Sequence, residues 1–148
     1  MKKSCCFFGS QRPLTFGERD EVFPLLLAET ERLINEGYTD FVFGGYTDFD
    51  SIARLSVMSL RSKYPHIRLV YVKLNDRDIE RLLKTYDEVI RPDIKYKGYS
   101  IRVRNRAVIE LCDYCVFYVS SYNTGNSGIE RAKSSGKPYI NLAEVKGD

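Results

Sequence analysis

The sequence predicts an α/β protein, a doubly wound, mainly parallel sheet of about five to six strands with helices on both faces. A continuous apolar run at residues 4–8, as expected of a strand buried on both faces, is joined by strand-like runs at residues 40–43, 68–74 and 114–119. Longer stretches between them place apolar residues at helical spacing. The runs that end at residues 8 and 43 give way at once to glycine, at Gly9 and at Gly44-Gly45. With 148 residues the chain fits one domain, residues 1–148.

After the first run, Gly9, Ser10, Gln11, Arg12 and Pro13 make a turn that carries side-chain donors. Over residues 22–36 a helical face collects Phe23, Leu26, Leu27, Leu33 and Ile34, with Gly37 placed to cap the end. Pro24 is expected in the first turn of that helix or at a bend. The second strand breaks at Gly44-Gly45, and Thr47 and Asp50 lead into a helix with Ile52, Ala53, Val57 and Leu60 on one face. The third strand is followed by a helix carrying Ile79, Leu82, Leu83 and Tyr86 behind an expected cap at Asp76. Residues 88–90 read as a short edge strand. Residues 91–100 lack a period and read as a mobile surface loop over a ligand. The last strand is residues 138–142.

In the helix over residues 101–112, a rotation of about 100° per residue puts Ile101, Arg104, Asn105, Val108, Leu111 and Cys112 on one face. Arg102, Arg106 and Glu110 fall on the other, with Arg106 and Glu110 spaced to pair. A crossover helix runs antiparallel to the strands, so its first turn lies at the carboxyl edge of the sheet, where open α/β sheets bind ligands. Arg104 and Asn105 are expected to face that crevice.

Thr124, Gly125, Asn126, Ser127 and Gly128 follow the fourth apolar run and open a helical pattern containing Ile129 and Ala132. Small residues at a strand-to-helix turn admit a ligand to unpaired amides, which favour phosphate. The same letters also spell a capping box, Ser127 with Glu130 three residues on, which needs no ligand. Gly9 to Arg12, Gly44 to Asp50, Arg104 with Asn105, and Thr124 to Glu130 all fall at one sheet edge in this fold.

Lys plus Arg number 23 against 20 Asp plus Glu, a net charge of +3 that reads as spread along the chain. This excludes a dedicated duplex-DNA binder or membrane-surface protein and leaves small anions as the expected partners. The first apolar run is too short for a secretory core and no run approaches a membrane span, so a soluble, cytoplasmic protein is expected. The four cysteines, Cys5, Cys6, Cys112 and Cys115, have one histidine, His66, to assist them. They are expected to be buried reduced thiols, with no metal and no cofactor.

Several stretches together resemble a family. Cys-Cys-Phe-Phe-Gly-Ser-Gln-Arg-Pro from Cys5, Gly-Gly-Tyr-Thr-Asp-Phe-Asp from Gly44, Arg-Asn-Arg from Arg104 and Gly-Lys-Pro-Tyr-Ile-Asn-Leu from Gly136 are similar to small bacterial and phage proteins of the SLOG superfamily. That superfamily includes DNA-processing protein A and the Lonely Guy phosphoribohydrolases. The resemblance implies a Rossmann-like fold binding a nucleotide or nucleotide-derived molecule near these loops. Lonely Guy enzymes carry Pro-Gly-Gly-x-Gly-Thr-x-x-Glu at the last loop. Matching its glutamate to Glu130 sets Ser127 at the threonine, with Asn123, Thr124 and Asn126 where glycines stand in those enzymes.

Three functions follow. The first is binding or sensing of a nucleotide-like ligand, the last loop's amides and Arg104 holding its anionic part. The second is an enzyme acting on an N-glycosidic bond, because Ser-Gly-Ile-Glu-Arg-Ala followed by Gly-Lys-Pro also resembles nucleoside deoxyribosyltransferases, with Glu130 as the catalytic carboxylate. The third, single-strand DNA binding, lacks a basic groove in the sequence. A homodimer is the assembly considered, and Tyr46 and Tyr122 are the tyrosines placed to touch a base.

Overall fold

The computed structural model describes residues 3–10, 12–92, 101–119 and 126–145. Its strands are β1 (Ser4–Gly9), β2 (Asp40–Phe43), β3 (Arg68–Val72), β4 (Glu88–Ile90), β5 (Tyr114–Tyr118) and β6 (Tyr139–Asn141). They form one sheet in the order β4-β3-β2-β1-β5-β6, and every neighbouring pair is parallel. The helices are α1 (Phe16–Asn35), α2 (Asp48–Leu60), α3 (Ile79–Leu82), α4 (Ile101–Leu111) and α5 (Asn126–Ser134), followed by a 3-10 turn at Leu142–Glu144. This is the doubly wound, Rossmann-like architecture expected of the apolar runs.

Alternation along each strand divides the core in two. Cys5, Phe7, Phe41, Phe43, Leu69, Tyr71, Val116 and Tyr118 face α1, α2 and α3. Cys6, Val42, Val70, Val72, Cys115 and Phe117 face Val108 and Ile109 of α4, Cys112 just after it, and Ile129 and Ala132 of α5. The chain leaves β1 towards β2 and later returns on the other side of β1 as β5, so β1 and β5 flank the point where the winding reverses. In such sheets the crevice for a ligand opens at the carboxyl ends of that pair.

Three local readings are corrected. α1 starts at Phe16, six residues before the expected position, because Thr15 and Glu18 close a capping box: Thr15 Oγ1 accepts from Glu18 N at 3.1 Å and Glu18 Oε1 accepts from Thr15 N at 3.0 Å. Pro24 therefore lies in the helix interior, on its exposed side. α3 is only four residues long; Asp78, not Asp76, precedes it, in a left-handed conformation with φ 61° and no side-chain cap. Leu83, expected on its apolar face, is exposed. On α4 the buried stripe runs through Arg104, Val108 and Ile109, and continues at Cys112 just beyond its end, while Leu111 is exposed. The helical count was in phase at Arg104 and Val108 but took Leu111 in place of Ile109. Residues 93–100, read as a loop, lie outside the described residues.

The described residues contain no helix long and apolar enough to cross a membrane. All four cysteines are free and buried, Cys5 on one face of the sheet and Cys6, Cys112 and Cys115 on the other. Burial, reinforced by the neighbouring thiols, pushes the Cys5 and Cys6 thiols well up from their ordinary value. The described residues hold no group of three or more side chains able to take a metal ion.

Gly9 has a steric role. A Cβ there would lie 2.5 Å from Cβ of Phe49, a fully buried residue of α2. Gly17, by contrast, has only Thr15 Oγ1 near, at 4.0 Å, and sits in the first turn of α1. Gly9→Ala is therefore expected to destabilise by about 1–3 kcal/mol through overpacking, whereas Gly17→Ala is expected to be neutral or stabilising by up to ~1 kcal/mol. Urea denaturation of the two variants checks the contrast.

Candidate functional site

The β2–α2 turn brings together six of the residues expected at the site. Thr47 caps α2: its Oγ1 accepts from Asp50 N at 3.2 Å, and Asp50 Oδ2 accepts from Thr47 N at 3.0 Å and from Thr47 Oγ1 at 2.8 Å. This local box buries the Asp50 carboxyl. Arg104 reaches the same turn from α4 and is itself buried, donating from Nη2 to Asn105 Oδ1 at 3.2 Å. Gly44 and Gly45 give it room. A Cβ on Gly44 would stand 3.2 Å from Val108 Cγ2 and 3.4 Å from Arg104 Cδ; one on Gly45 would stand 2.5 Å from Asp50 Oδ2 and 3.3 Å from Arg104 Nη2.

Burial raises the Asp50 pKa, opposed by the hydrogen bonds from Thr47 and the positive charges of Arg104 and Arg54. Arg54, one helical turn after Asp50, was missed in the sequence, although its i, i+4 spacing was legible. Tyr46 projects beyond the turn with its side chain largely exposed, its ring centroid 5.7 Å from that of buried Tyr71.

The loop after β1 serves its own structure. Arg12 donates from both terminal nitrogens to Glu18, at 2.8 and 2.7 Å, and from Nη1 to the Pro13 carbonyl at 3.1 Å. Arg12, followed by the Thr15 amide, holds the Glu18 carboxyl down to about 2. Ser10 Oγ accepts from Arg12 N at 3.3 Å, and Asp48 Oδ2 accepts from Leu14 N and Arg19 Nη2, both at 3.0 Å, tying the loop to α2. Gln11 lies outside the described residues.

A cavity of about 670 Å³ lies between α4 and α5. Asn105, Gly128 and Glu130, three of the expected residues, line it together with Arg102, Val103, Arg106, Ile109, Arg131 and Ser134. Gly128 permits the close approach of α5 to the sheet, since a Cβ there would meet Phe117 Cε1 at 2.9 Å. Arg106 pairs with Glu110 at 3.2 Å, as its spacing implied. α5 starts at Asn126, and the exposed Glu130 carboxylate lies 3.8 Å from Lys133 Nζ; the expected capping box depends on the Ser127 side chain, which lies outside what is described. Thr124, Gly125 and Tyr122 lie outside the described residues, and Asn126 and Ser127 are described only as helical backbone.

Asn141, which no sequence pattern singled out, fixes the end of β5. Its side chain accepts from Val119 N at 3.0 Å and donates to Val119 O at 2.9 Å, prolonging the β5–β6 pairing past the last strand residue. Charge is also less evenly spread than the sequence reading held. Arg102, Arg104, Arg106, Arg131, Lys133 and Lys137 outnumber Glu110, Asp113 and Glu130 by three, so the stretch from α4 to the start of β6 carries the whole +3 of the chain.

Neither a family model nor a curated protein matches the sequence.

Glu18 and Asp50 give opposite pH signatures. The Glu18 pKa is depressed in the folded protein, so its contribution is full above the ordinary carboxylate range and is lost as pH falls from there towards about 2. The Asp50 pKa is raised, so its ionisation opposes folding as pH rises through and above that range. Relative to wild type, Glu18→Gln should lose least stability at the acid end, and Asp50→Asn should gain most towards neutrality. Thermal denaturation between pH 3 and 7 checks both signs.

Proposed function

We propose that the chain binds or senses a nucleotide or nucleotide-derived molecule in the cytoplasm, as a SLOG-type protein acting alone or as a homodimer. The observation that carries this reading is the cavity between α4 and α5, where Asn105, Gly128 and Glu130 meet arginines from both helices over the apolar side chains of Val103 and Ile109. Its volume falls within the range of small-molecule sites. An apolar strip beside cations suits a ligand that joins a flat, weakly polar ring to an anionic group. The buried, mutually packed cluster of Gly44, Gly45, Asp50 and Arg104 then supports the wall rather than contacting the ligand.

A thermal-shift screen of nucleotides, nucleosides, cyclic nucleotides and ADP-ribose derivatives tests the reading. A ligand present at 100 times its Kd should stabilise the fold by about 2.7 kcal/mol. Absence of any shift across the panel, with calorimetry equally silent, would overturn it.

Glu130 supports a second reading, because an exposed carboxylate on a cavity wall is placed to attack or stabilise a ribosyl carbon. Binding is preferred, since Glu130 is the sole carboxylate among the described lining residues, while glycoside cleavage usually employs two. Glu130→Gln is accordingly expected to keep ligand affinity within about threefold of wild type, with no free base released by either protein from nucleoside monophosphates or deoxynucleosides. Base release by wild type that vanishes in the variant, followed by chromatography, would replace the binding reading with the enzymatic one.

A further inference from the structure

The arginines of the loop after β1 and of α4 and α5 differ in what holds them. Arg12 is engaged by Glu18, Arg106 by Glu110, and Arg104 is buried against Asn105 and the Gly44-Gly45 turn. Arg102 and Arg131 are different. They stand on separate helices, α4 and α5, and line the same cavity, yet neither guanidinium has an ion pair or hydrogen bond among the described residues. Two unpaired cations lining one cavity, with a single carboxylate, Glu130, among the described lining residues, gain from a further anion lying between them.

We propose that Arg102 and Arg131, one from each wall, select the ligand by its phosphate group, and that the site takes a phosphomonoester nucleotide in preference to the neutral nucleoside. This rests on the nucleotide reading above and replaces Arg104, the cation chosen from the sequence, with two residues that the sequence reading left out of the site. A guanidinium fork matches two phosphate oxygens at once, and a phosphomonoester carries a charge near −2 at neutral pH, enough to neutralise both side chains. Glu130, on the same wall as Arg131, repels that anion and favours its seating towards Arg102. Its carboxylate is left to accept from sugar hydroxyls. Val103, half-buried on α4, supplies apolar surface for the base.

The test uses titration calorimetry of the full chain with adenosine and guanosine 5′-monophosphates, the two parent nucleosides and inorganic phosphate, on wild type, Arg102→Gln, Arg131→Gln and Arg104→Gln. Each protein is first checked for its thermal transition. The expected result is that a monophosphate binds at least tenfold tighter than its nucleoside. Arg102→Gln and Arg131→Gln should each remove most of that difference, leave nucleoside affinity as it was, and flatten the dependence of binding on salt. Arg104→Gln, by contrast, should lower the thermal transition and weaken both ligands together. Nucleoside and monophosphate binding equally well would overturn the phosphate selection while leaving the nucleotide reading intact. Failure of every nucleoside and nucleotide to bind would overturn both. A loss confined to the monophosphate in Arg104→Gln, with Arg102→Gln and Arg131→Gln unaffected, would return the role to Arg104.

Discussion

β1 is hydrogen-bonded on both edges, to β2 and β5, and covered on both faces, and the rest of the molecule is arranged to make that possible. Cys5 and Phe7 need α1 and α2 on one side; Cys6 needs α4 and α5 on the other. A strand so enclosed tolerates neither charge nor a change of register, since a one-residue slip would exchange its two buried sets. It also fixes where the chemistry lies. With β1 central and all strands parallel, every strand-to-helix turn emerges at the same edge, so Ser10, Gly45 and Gly128 are gathered there although they are far apart in the chain.

The glycines at that edge show how close packing and ligand access can share one sequence signature. Gly9 accommodates Phe49, Gly44 and Gly45 accommodate Arg104, Val108 and Asp50, and Gly128 accommodates Phe117. In each case the missing Cβ is occupied by the protein itself. Among the described residues the space between α4 and α5 stays open, lined by Arg106, which is paired with Glu110, and by Arg102 and Arg131.

The strands were legible because burial on both faces favours runs rich in apolar residues, and those runs are short and well separated: residues 40–43 coincide with β2, and the other strand boundaries lie within two residues of the expected ones. Helix starts were less legible. α1 begins in a polar stretch where only the Thr15 and Glu18 box marks it, and α3 is too short for periodicity to define. At the site, the placement of Arg104 and the pairing of Arg106 with Glu110 followed from helical geometry. Arg102 and Arg131 did not, because the exposed face of α4 becomes a cavity wall only when α5 lies beside it. Asn141 was equally invisible: nothing in Tyr139-Ile140-Asn141 shows that the last side chain will act as a surrogate peptide for Val119.

The order of the strands in space differs from their order in the chain. β1 to β4 are complete by residue 90 and fill one side of β1, yet the partner of its other edge, β5, begins at Tyr114. At a synthesis rate of ~5–20 residues per second, more than a second separates the emergence of the two. During that interval the nascent chain carries an apolar strand with a bare row of amides and carbonyls, the kind of edge that pairs with any extended segment nearby. Closure of that edge and construction of the α4–α5 cavity are completed by the same late segment of chain, so a ribosome that stops before β5 releases a half-sheet with a sticky margin and no place for a ligand to hold it together.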